Sequence, residues 1–352
     1  MGSIPKANPA KKGCCTPSAS LVAGARGGAP GATTPLREGP RGIDTTITTV
    51  PTQEPVPFAD RGSTDGMVRV PGGEFLMGND QDDAFAGDGE GPVRTVRVPA
   101  FYVDTTAVTT ESFARFVEAT GYVTDAEKFG WSFVFHTHLS RKYAQTLRRT
   151  NAVVGLEWWL AVPGAFWRRP FGERSNTKDL LDHPVVHVSW NDAVSYCRWA
   201  GKRLATEAQW EFAARGGLEA ARYPWGNDLV PRGRHRCNIW QGKFPDVDTG
   251  EDGFKGTCPV DAFEPNGYGL FNVSGNVWEW CSEWFSPDHH VPETPETREN
   301  PQGPTRGDRK IQKGGSFLCH HSYCNRYRVA ARTGNTPDSS SGNSGFRCVR
   351  DV

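Results

Sequence analysis

Alternating apolar and polar residues predict β-strands near the start of the folded part of the chain. Residues 67–78 (Met-Val-Arg-Val-Pro-Gly-Gly-Glu-Phe-Leu-Met-Gly) are expected to form a strand, a turn and a second strand. The alternation in Val96–Val98, followed by Phe101–Val103, predicts one more strand.

The period then changes, and three helices are predicted. The first ends at Gly121, and its apolar face consists of Phe113, Phe116 and Val117. The second follows Ser189-Trp-Asn191 and stops at Gly201, and its apolar face consists of Ala193, Tyr196, Cys197 and Ala200. The third begins at a capping box formed by Thr206 and Gln209 and ends at Gly216-Gly217.

The composition of the chain predicts many turns. The 352 residues include 40 Gly and 26 Pro, only 37% are hydrophobic, and the mean hydropathy is −0.56. Residues 223–346 are therefore expected to form long, aromatic-rich loops, where function usually lies. Lys plus Arg (40) equals Asp plus Glu (40), so no net basic field favours nucleic acid or an anionic membrane.

Residues 1–66 differ from the rest of the chain. They contain 40 Gly, Ala, Pro, Ser or Thr residues and one aromatic residue, Phe58. Such a segment buries too little apolar area to offset the entropy of ordering, so it is predicted to be a disordered leader before a folded domain at residues 67–352. The chain has no apolar run of about 18 residues and no secretion signal, and we expect a cytoplasmic protein.

The segment around Cys319 and Cys324 is the most unusual in the chain. Two thiols lie five residues apart, after Gly314-Gly315 and among basic and hydroxyl side chains. A helix would place them about 140° apart and a strand on opposite faces, so they converge only in a loop. The cationic groups of Arg326, Arg328 and protonated His320 or His321 would favour the thiolate form.

Spacing alone leaves three interpretations of this thiol pair. It fits a disulfide. It also fits a zinc site completed by His320 or His321, although no second Cys or His pair is present to complete the usual set of ligands. Two thiolates without further ligands suit Cu(I) best.

The chain resembles the formylglycine-generating enzymes, copper-dependent oxidases that convert a sulfatase cysteine to formylglycine. The resemblance covers residues 67–352. It rests on blocks in one order: Gly72–Gly78, Ala119–Gly130, His183–Ala193, Trp199–Leu204, Asn238–Gly242, Pro265–Leu270, Gly275–Trp280, the cysteine loop, Asn335–Ser340 and Gly345–Cys348. It implies a single loop-rich α+β domain related to the C-type-lectin fold. The wider superfamily shares the glycine-rich and Gly-Asn-Val-Trp-Glu-Trp blocks without the chemistry, so the cysteine loop is the discriminating feature.

The resemblance also implies an activity and its residues. The enzyme would oxidise the cysteine of an unfolded sulfatase segment, Cys-x-Pro-x-Arg, to Cα-formylglycine with O2, as a monomer. Cys319 and Cys324 would hold Cu(I), Ser316 would supply an active-site hydroxyl, and His320 and Tyr323 would line the site. The implied substrate contacts are Arg203, Asn343, Arg347 and Trp278.

Structural metal ions and a disulfide are implied in the same way. The ligands of one Ca²⁺ would be Asn238, Asp252 and the carbonyl groups of Ile239 and Phe254. Those of a second would be Asn272, Glu279 and the carbonyl groups of Gly275 and Val277. Oxygen ligands of this kind suit Ca²⁺. A disulfide is implied between Cys197 and Cys348, and the pairing of the remaining cysteines stays open: Cys14, Cys15, Cys237, Cys258 and Cys281.

A second class of function is compatible with the same fold. A calcium-stabilised module could bind a peptide or a sugar without catalysis, and such relatives typically lack one or both loop cysteines. The presence of Cys319 and Cys324 favours the oxidase.

Overall fold

The strands fall into several small sheets rather than one large one. The computed structural model describes residues 16–18, 62–85 and 87–352. The strands are β1 (Met67–Val70), β2 (Gly73–Met77), β3 (Arg94–Val98), β4 (Phe101–Asp104), β5 (Trp131–Phe135), β6 (Ala152–Val153), β7 (Leu156–Pro163), β8 (Arg203–Leu204), β9 (Gly242–Lys243), β10 (Val247–Asp248), β11 (Trp278–Trp284), β12 (Lys310–Lys313), β13 (Arg332–Asn335), β14 (Ser344–Gly345) and β15 (Cys348–Asp351).

Six α-helices accompany these strands in the described part of the chain. They are α1 (Thr110–Thr120), α2 (Asp125–Phe129), α3 (Arg141–Arg148), α4 (Trp190–Trp199), α5 (Glu207–Arg215) and α6 (Pro295–Arg298). Single 3₁₀ turns lie at His136–His138 and Pro231–Gly233. None of the described helices combines the length and the apolar character that crossing a membrane requires.

Distant parts of the sequence meet in the sheets. One sheet has the order β1-β4-β15-β8, so the last strand lies between strands from the start of the domain and from its middle. A second has the order β13-β12-β11-β14, and a third has the order β5-β7-β6. The remaining pairs are β2-β3 and β9-β10, and among the strands that the structure describes only β11 and β14 run parallel.

The predicted single strand at residues 96–103 is wrong, because β3 and β4 belong to different sheets. β3 pairs with β2, whereas β4 pairs with β1 and β15. Pro99 separates them, and a proline has no backbone N–H to continue a ladder.

The three predicted helices are confirmed, with the expected caps. Gly121 ends α1 in the left-handed conformation, with φ 65°, and Gly216 ends α5 in the same way, with φ 58°. Ser189 caps the start of α4, and Thr206 and Gln209 form the capping box of α5.

The sheet β5-β7-β6 is a feature that the alternation of residues did not predict. All five residues of β5 are buried, so the strand shows no polar face. Residues 223–346 are turn-rich as expected, yet they also contain the long strand β11 and its partners. The domain is therefore α+β and loop-rich, as the sequence indicated.

A buried carboxylate of helix α5 holds the start of the loop that contains Cys319 and Cys324. Glu211 is almost completely buried and accepts hydrogen bonds from Lys313 Nζ (3.0 Å), Arg215 Nη2 (2.7 Å) and the backbone N–H of Gly78 (2.9 Å). Burial alone would raise the pKa of this carboxyl, but Lys313 and Arg215 lower it to about 2. Lys313 is the last residue of β12, so this buried charge network fixes the point where the next loop begins.

Two parts of the predicted leader have defined positions. Residues 62–66 adjoin β1, and the carbonyl oxygen of Gly66 accepts a bond from Thr105 N (3.0 Å). Thr16–Ser18 lie against the residues that follow β13. The rest of the leader, including Cys14 and Cys15, lies outside the described residues.

Candidate active site

The loop after β12 begins at two glycines in left-handed conformations. Gly315 has φ 71°, and a Cβ atom there would come within 2.9 Å of the carbonyl oxygen of Arg326. A side chain at this position is therefore excluded by both backbone strain and contact. The close approach holds the start of the loop against its end.

Two turns then bring the cysteines together. The N–H of Cys319 donates to the carbonyl oxygen of Ser316 (2.9 Å), and the N–H of Cys324 donates to that of His320 (2.7 Å). The two Sγ atoms lie 3.3 Å apart, and both side chains are completely buried. The predicted convergence of the thiols in a loop is confirmed.

Ser316 is held beside this pair by a short network of hydrogen bonds. Asn343 Nδ2 donates to Ser316 Oγ (2.9 Å), and Ser341 Oγ donates to Asn343 Oδ1 (2.8 Å). The backbone N–H of Ser316 points at Cys319 Sγ (3.4 Å). The arrangement fixes the position of the serine oxygen and places an N–H dipole where it stabilises negative charge on sulfur.

Arg326 supplies positive charge on the other side of the thiol pair. Its Nη1 lies 3.7 Å from Cys324 Sγ, and the same guanidinium binds the carboxylate of Asp88 at 2.5 and 3.1 Å. Burial raises the pKa of Asp88 even though Arg326 opposes the shift. Arg326 was predicted from the sequence, but Asp88 was not; its signal in the sequence is the acidic pair Asp88 and Glu90 in the segment between β2 and β3.

Two of the predicted cationic groups do not act on the thiols. Burial, reinforced by neighbouring His321, lowers the pKa of His320 to about 4, so this imidazole is neutral at pH 7. Arg328 is committed to a buried ion pair with Glu90 (2.5 Å). Among the described residues, Arg326 is the predicted cation for which a contact with a loop thiol is seen.

Aromatic side chains enclose the site. The ring of Tyr323 stacks on Phe244, with centroids 4.8 Å apart, and meets Trp158 edge-on at 5.2 Å. Trp240 contacts Phe244 at 5.4 Å. Cys319 and Cys324 belong to the same buried apolar cluster as Tyr323 and Trp240. Such a wall excludes water and strengthens every electrostatic interaction inside it.

The structure corrects the expected substrate contact of Arg347. This side chain is 2% exposed, and its guanidinium binds both oxygens of Glu279 (2.7 and 2.8 Å) and the carbonyl oxygen of Phe271 (2.8 Å). All of its capacity is used in holding loops together, so it has no face for a substrate. Trp278 is likewise fully buried, in the apolar cluster of the cysteines, and its Nε1 has no partner. Trp278 therefore packs in the core beside the cysteines and presents no surface to a substrate.

The other two expected contacts lie in different places. Asn343 adjoins the thiol pair through Ser316 but is itself buried. Arg203 contacts Asp351 and Gln209 Oε1 (2.8 Å), next to the C-terminal strand and not the cysteine loop. Only Asn343 is therefore placed to act at the candidate site.

The first set of expected calcium ligands forms one cluster. Asp252 Oδ2 accepts from the N–H of Ile239 (3.0 Å) and Oδ1 from that of Phe254 (3.0 Å). Gln241 Nε2 donates to Asp252 (2.8 Å) and to the carbonyl oxygen of Ile239. A partially positive amide thus bridges two of the oxygens expected to bind the cation, and neighbouring Asn238 is buried. This donor set fits Ca²⁺.

The second set is more constrained. Asn272 Oδ1 is buried without a hydrogen-bond partner, as expected for an oxygen aimed at a cation. Gly275 and Val277 continue the same loop toward Glu279, whose carboxylate already accepts from Arg347 and from Trp210 Nε1 (2.7 Å). A carboxylate has about four lone-pair positions, so Glu279 keeps acceptor capacity for one metal contact.

The remaining cysteines are buried thiols in the described residues. Cys197 Sγ and Cys348 Sγ lie 3.5 Å apart, in contact but not bonded. Burial raises the pKa of Cys237 and Cys281, and it raises that of Cys258 to about 12, so these thiols are protonated at neutral pH. No group of three or more His, Cys, Asp or Glu side chains in the part that the structure describes is arranged to hold a metal ion.

These features define a loop-rich α+β domain with a buried, charge-assisted thiol pair. The sequence matches the family described as "Sulfatase-modifying factor enzyme 1-like domain" over residues 52–352, and the chain belongs to that family. Over 286 residues it is 64% identical to the formylglycine-generating enzyme of Thermomonospora curvata. The aligned residues make up 81% of this chain and 93% of that relative.

Mammalian relatives are also similar. The formylglycine-generating enzyme of Mus musculus is 56% identical over 81% of this chain and 75% of that relative. The mouse protein named "Inactive C-alpha-formylglycine-generating enzyme 2" is 47% identical over 80% of this chain and 85% of its own length. Overall identity alone therefore does not decide whether this chain is active like the first mouse protein or inactive like the second. The residues of the site have to decide it.

Solved structures support the fold alone. PvdO from Pseudomonas aeruginosa superimposes with a TM-score of 0.58 at 21% identity, over 86% of this chain and all of that one. Treponema denticola variable protein 1 gives 0.52 at 19% identity, over 81% and 95% of the two chains.

Proposed function

We propose that this protein oxidises the cysteine of Cys-x-Pro-x-Arg segments in unfolded sulfatase polypeptides to Cα-formylglycine, with Cu(I) and O2. Family membership and the names of the relatives at 56 to 64% identity support sulfatase modification. The finer chemistry rests on the residues of the site.

The observation that carries the proposal is the thiol pair itself. Cys319 and Cys324 are fully buried with their sulfurs 3.3 Å apart, and the described residues offer no arrangement of three ligands for a metal. Zinc requires a closed set of about four ligands, whereas Cu(I) is selected by soft thiolates. The donor set therefore fits Cu(I), which when bound would supply a centre for reaction with O2 that protein side chains lack.

The chain's own groups have distinct tasks around that centre. Arg326 and the N–H of Ser316 favour the anionic form of the sulfurs that a metal requires. Asn343 fixes the Ser316 hydroxyl, which is positioned to contact O2 or the substrate thiol. Tyr323 and its aromatic neighbours exclude water from the reacting groups.

The two oxygen clusters are proposed as structural Ca²⁺ sites. The first joins residues 238–239 to residues 252–254, and the second lies where the chain enters β11, so bound cations would stabilise a fold that is poor in regular structure. The disulfide between Cys197 and Cys348 is proposed on their 3.5 Å separation, since a rotation of side chains brings two such sulfurs to bonding distance.

Mass spectrometry of a Cys-x-Pro-x-Arg peptide tests the activity. The protein loaded with Cu(I) is incubated with peptide, reductant and O2, and an aminooxy probe captures the aldehyde. Cys319→Ser and Cys324→Ser should lose conversion, whereas Cys281→Ser, a buried cysteine away from the site, should keep it. A peptide that binds and remains a thiol in the wild-type protein would favour a non-catalytic binding module instead.

A further inference from the structure

A short piece of the N-terminal leader is seated at the end of β13, on the chain segment that leads to Asn343 of the candidate active site. Asn335 Nδ2 donates to the carbonyl oxygen of Pro17 (3.1 Å), and the hydroxyls of Ser18 and Thr336 are 3.1 Å apart. Thr16 is only 6% exposed, and Pro17 is also buried. A segment that contributes so little apolar area is held at this place by specific contacts.

The docking surface and the residue that binds the active-site serine belong to one chain segment. Residues 335–343 begin at the contact with Pro17 and end at Asn343, which donates to Ser316 Oγ (2.9 Å). Within this segment, Thr336 Oγ1 and Ser339 Oγ are 2.6 Å apart. Further along, Ser132 Oγ donates to the carbonyl oxygen of Ser340 (3.1 Å). The segment 335–343 therefore connects the docked leader residues to the residue that holds Ser316.

The seated residues have the spacing of the substrate motif. The sequence Cys15-Thr16-Pro17-Ser18 matches the first four positions of Cys-x-Pro-x-Arg, and Ala19 stands where the arginine would be. Thr16, Pro17 and Ser18 thus stand at the second, third and fourth positions of the motif.

We propose that Thr16, Pro17 and Ser18 dock in cis as an intramolecular pseudosubstrate of the site. The inference rests on the proposed function, because the motif is that of the proposed substrate. A substrate arginine would add charge-assisted hydrogen bonds that Ala19 cannot make, and this difference would let a true substrate displace the leader.

The covalent link to the domain allows a segment with low binding affinity to compete with a peptide. Residues 19–61 connect Ser18 to Gly62, whose carbonyl oxygen is bound by Arg350. A tether of this kind gives an effective concentration on the order of 1 mM. A docking segment with an intrinsic Kd of about 0.1 mM would then weaken the binding of a competing peptide about tenfold.

Peptide binding to the full chain tests the competition. The probe is a fluorescent Ser-x-Pro-x-Arg peptide, which cannot be oxidised, and anisotropy is read without copper. Pro17→Asp places an unpaired charge at a buried position and should tighten peptide binding about five- to tenfold. Pro30→Asp, the same change in the leader outside the described residues, should leave the Kd at the wild-type value. Equal Kd values for all three proteins would overturn the proposal.

Disulfide trapping tests the docking without relying on the proposed function. The Ser18→Cys, Thr336→Cys double variant should form a bond between these positions on treatment with diamide, as mapped by mass spectrometry, and the single Thr336→Cys variant should not form it. The trapped protein should lose peptide binding and regain it on reduction. If no bond forms, the docking is wrong even when peptide oxidation is established. If wild-type protein binds no peptide while the bond forms, the proposed function fails and the docking stands.

Discussion

The Glu211→Gln variant tests the buried charge network that fixes the start of the cysteine loop. Glu211 is 1% exposed and accepts from Lys313, Arg215 and a backbone N–H. Its pKa falls to about 2 in the folded protein because these partners outweigh the cost of burial. A change of about 2.5 pKa units at about 1.4 kcal/mol each corresponds to about 3 kcal/mol of stability at pH 7.

The pH dependence has a definite sign. A carboxyl with a lowered pKa in the folded state contributes stability that is complete above its unfolded pKa of about 4.5 and is lost as the pH falls toward 2. At pH 3.5 about 1 kcal/mol of the contribution has been lost, because this carboxyl is about 90% protonated in the unfolded chain there. Glutamine mimics the neutral acid, so the difference between wild type and variant should narrow by this amount.

Urea unfolding followed by tryptophan fluorescence measures both quantities. The control is Glu111→Gln, the same substitution in an exposed ion pair with Arg115 (3.3 Å), which should cost at most about 0.5 kcal/mol at any pH. The reasoning is refuted if Glu211→Gln costs no more than this control at pH 7. It is equally refuted if the cost is the same at pH 3.5 as at pH 7.

Three further predictions concern the site and its supports. Asn343→Ala should lower kcat for peptide oxidation about 10- to 100-fold with KM little changed, because it frees Ser316; a rise in KM alone would instead indicate a substrate contact. Chelation of Ca²⁺ should lower the Tm, and Asp252→Asn, which removes a ligand of the first site, should reduce this fall in Tm while the exposed Asp261→Asn should leave it at the wild-type value; a wild-type Tm that does not change on chelation would contradict the calcium sites. Oxidation should join Cys197 to Cys348 and raise the Tm by several degrees, with no rise in Cys348→Ser; peptide mapping that finds both thiols free would count against the bond.

The sequence was sufficient for features that local chemistry controls. The capping residues Ser189 and Thr206 and the terminal Gly121 and Gly216 placed helix ends correctly, because orphan backbone groups at a helix terminus are satisfied by the nearest few residues. The five-residue spacing of Cys319 and Cys324 required a loop, since neither regular element brings such positions together. The motif blocks were enough to indicate the family.

Tertiary structure decided everything that depends on residues far apart in the chain. It separated β3 from β4, buried all of β5, and paired Asp88 with Arg326 across most of the sequence. It also changed the expected roles of two charged groups. Burial keeps His320 neutral, and the guanidinium of Arg347 forms an ion pair with Glu279. A side chain's type limits which interactions it can form, but its charge and its partner depend on desolvation and on neighbours that only the folded chain supplies.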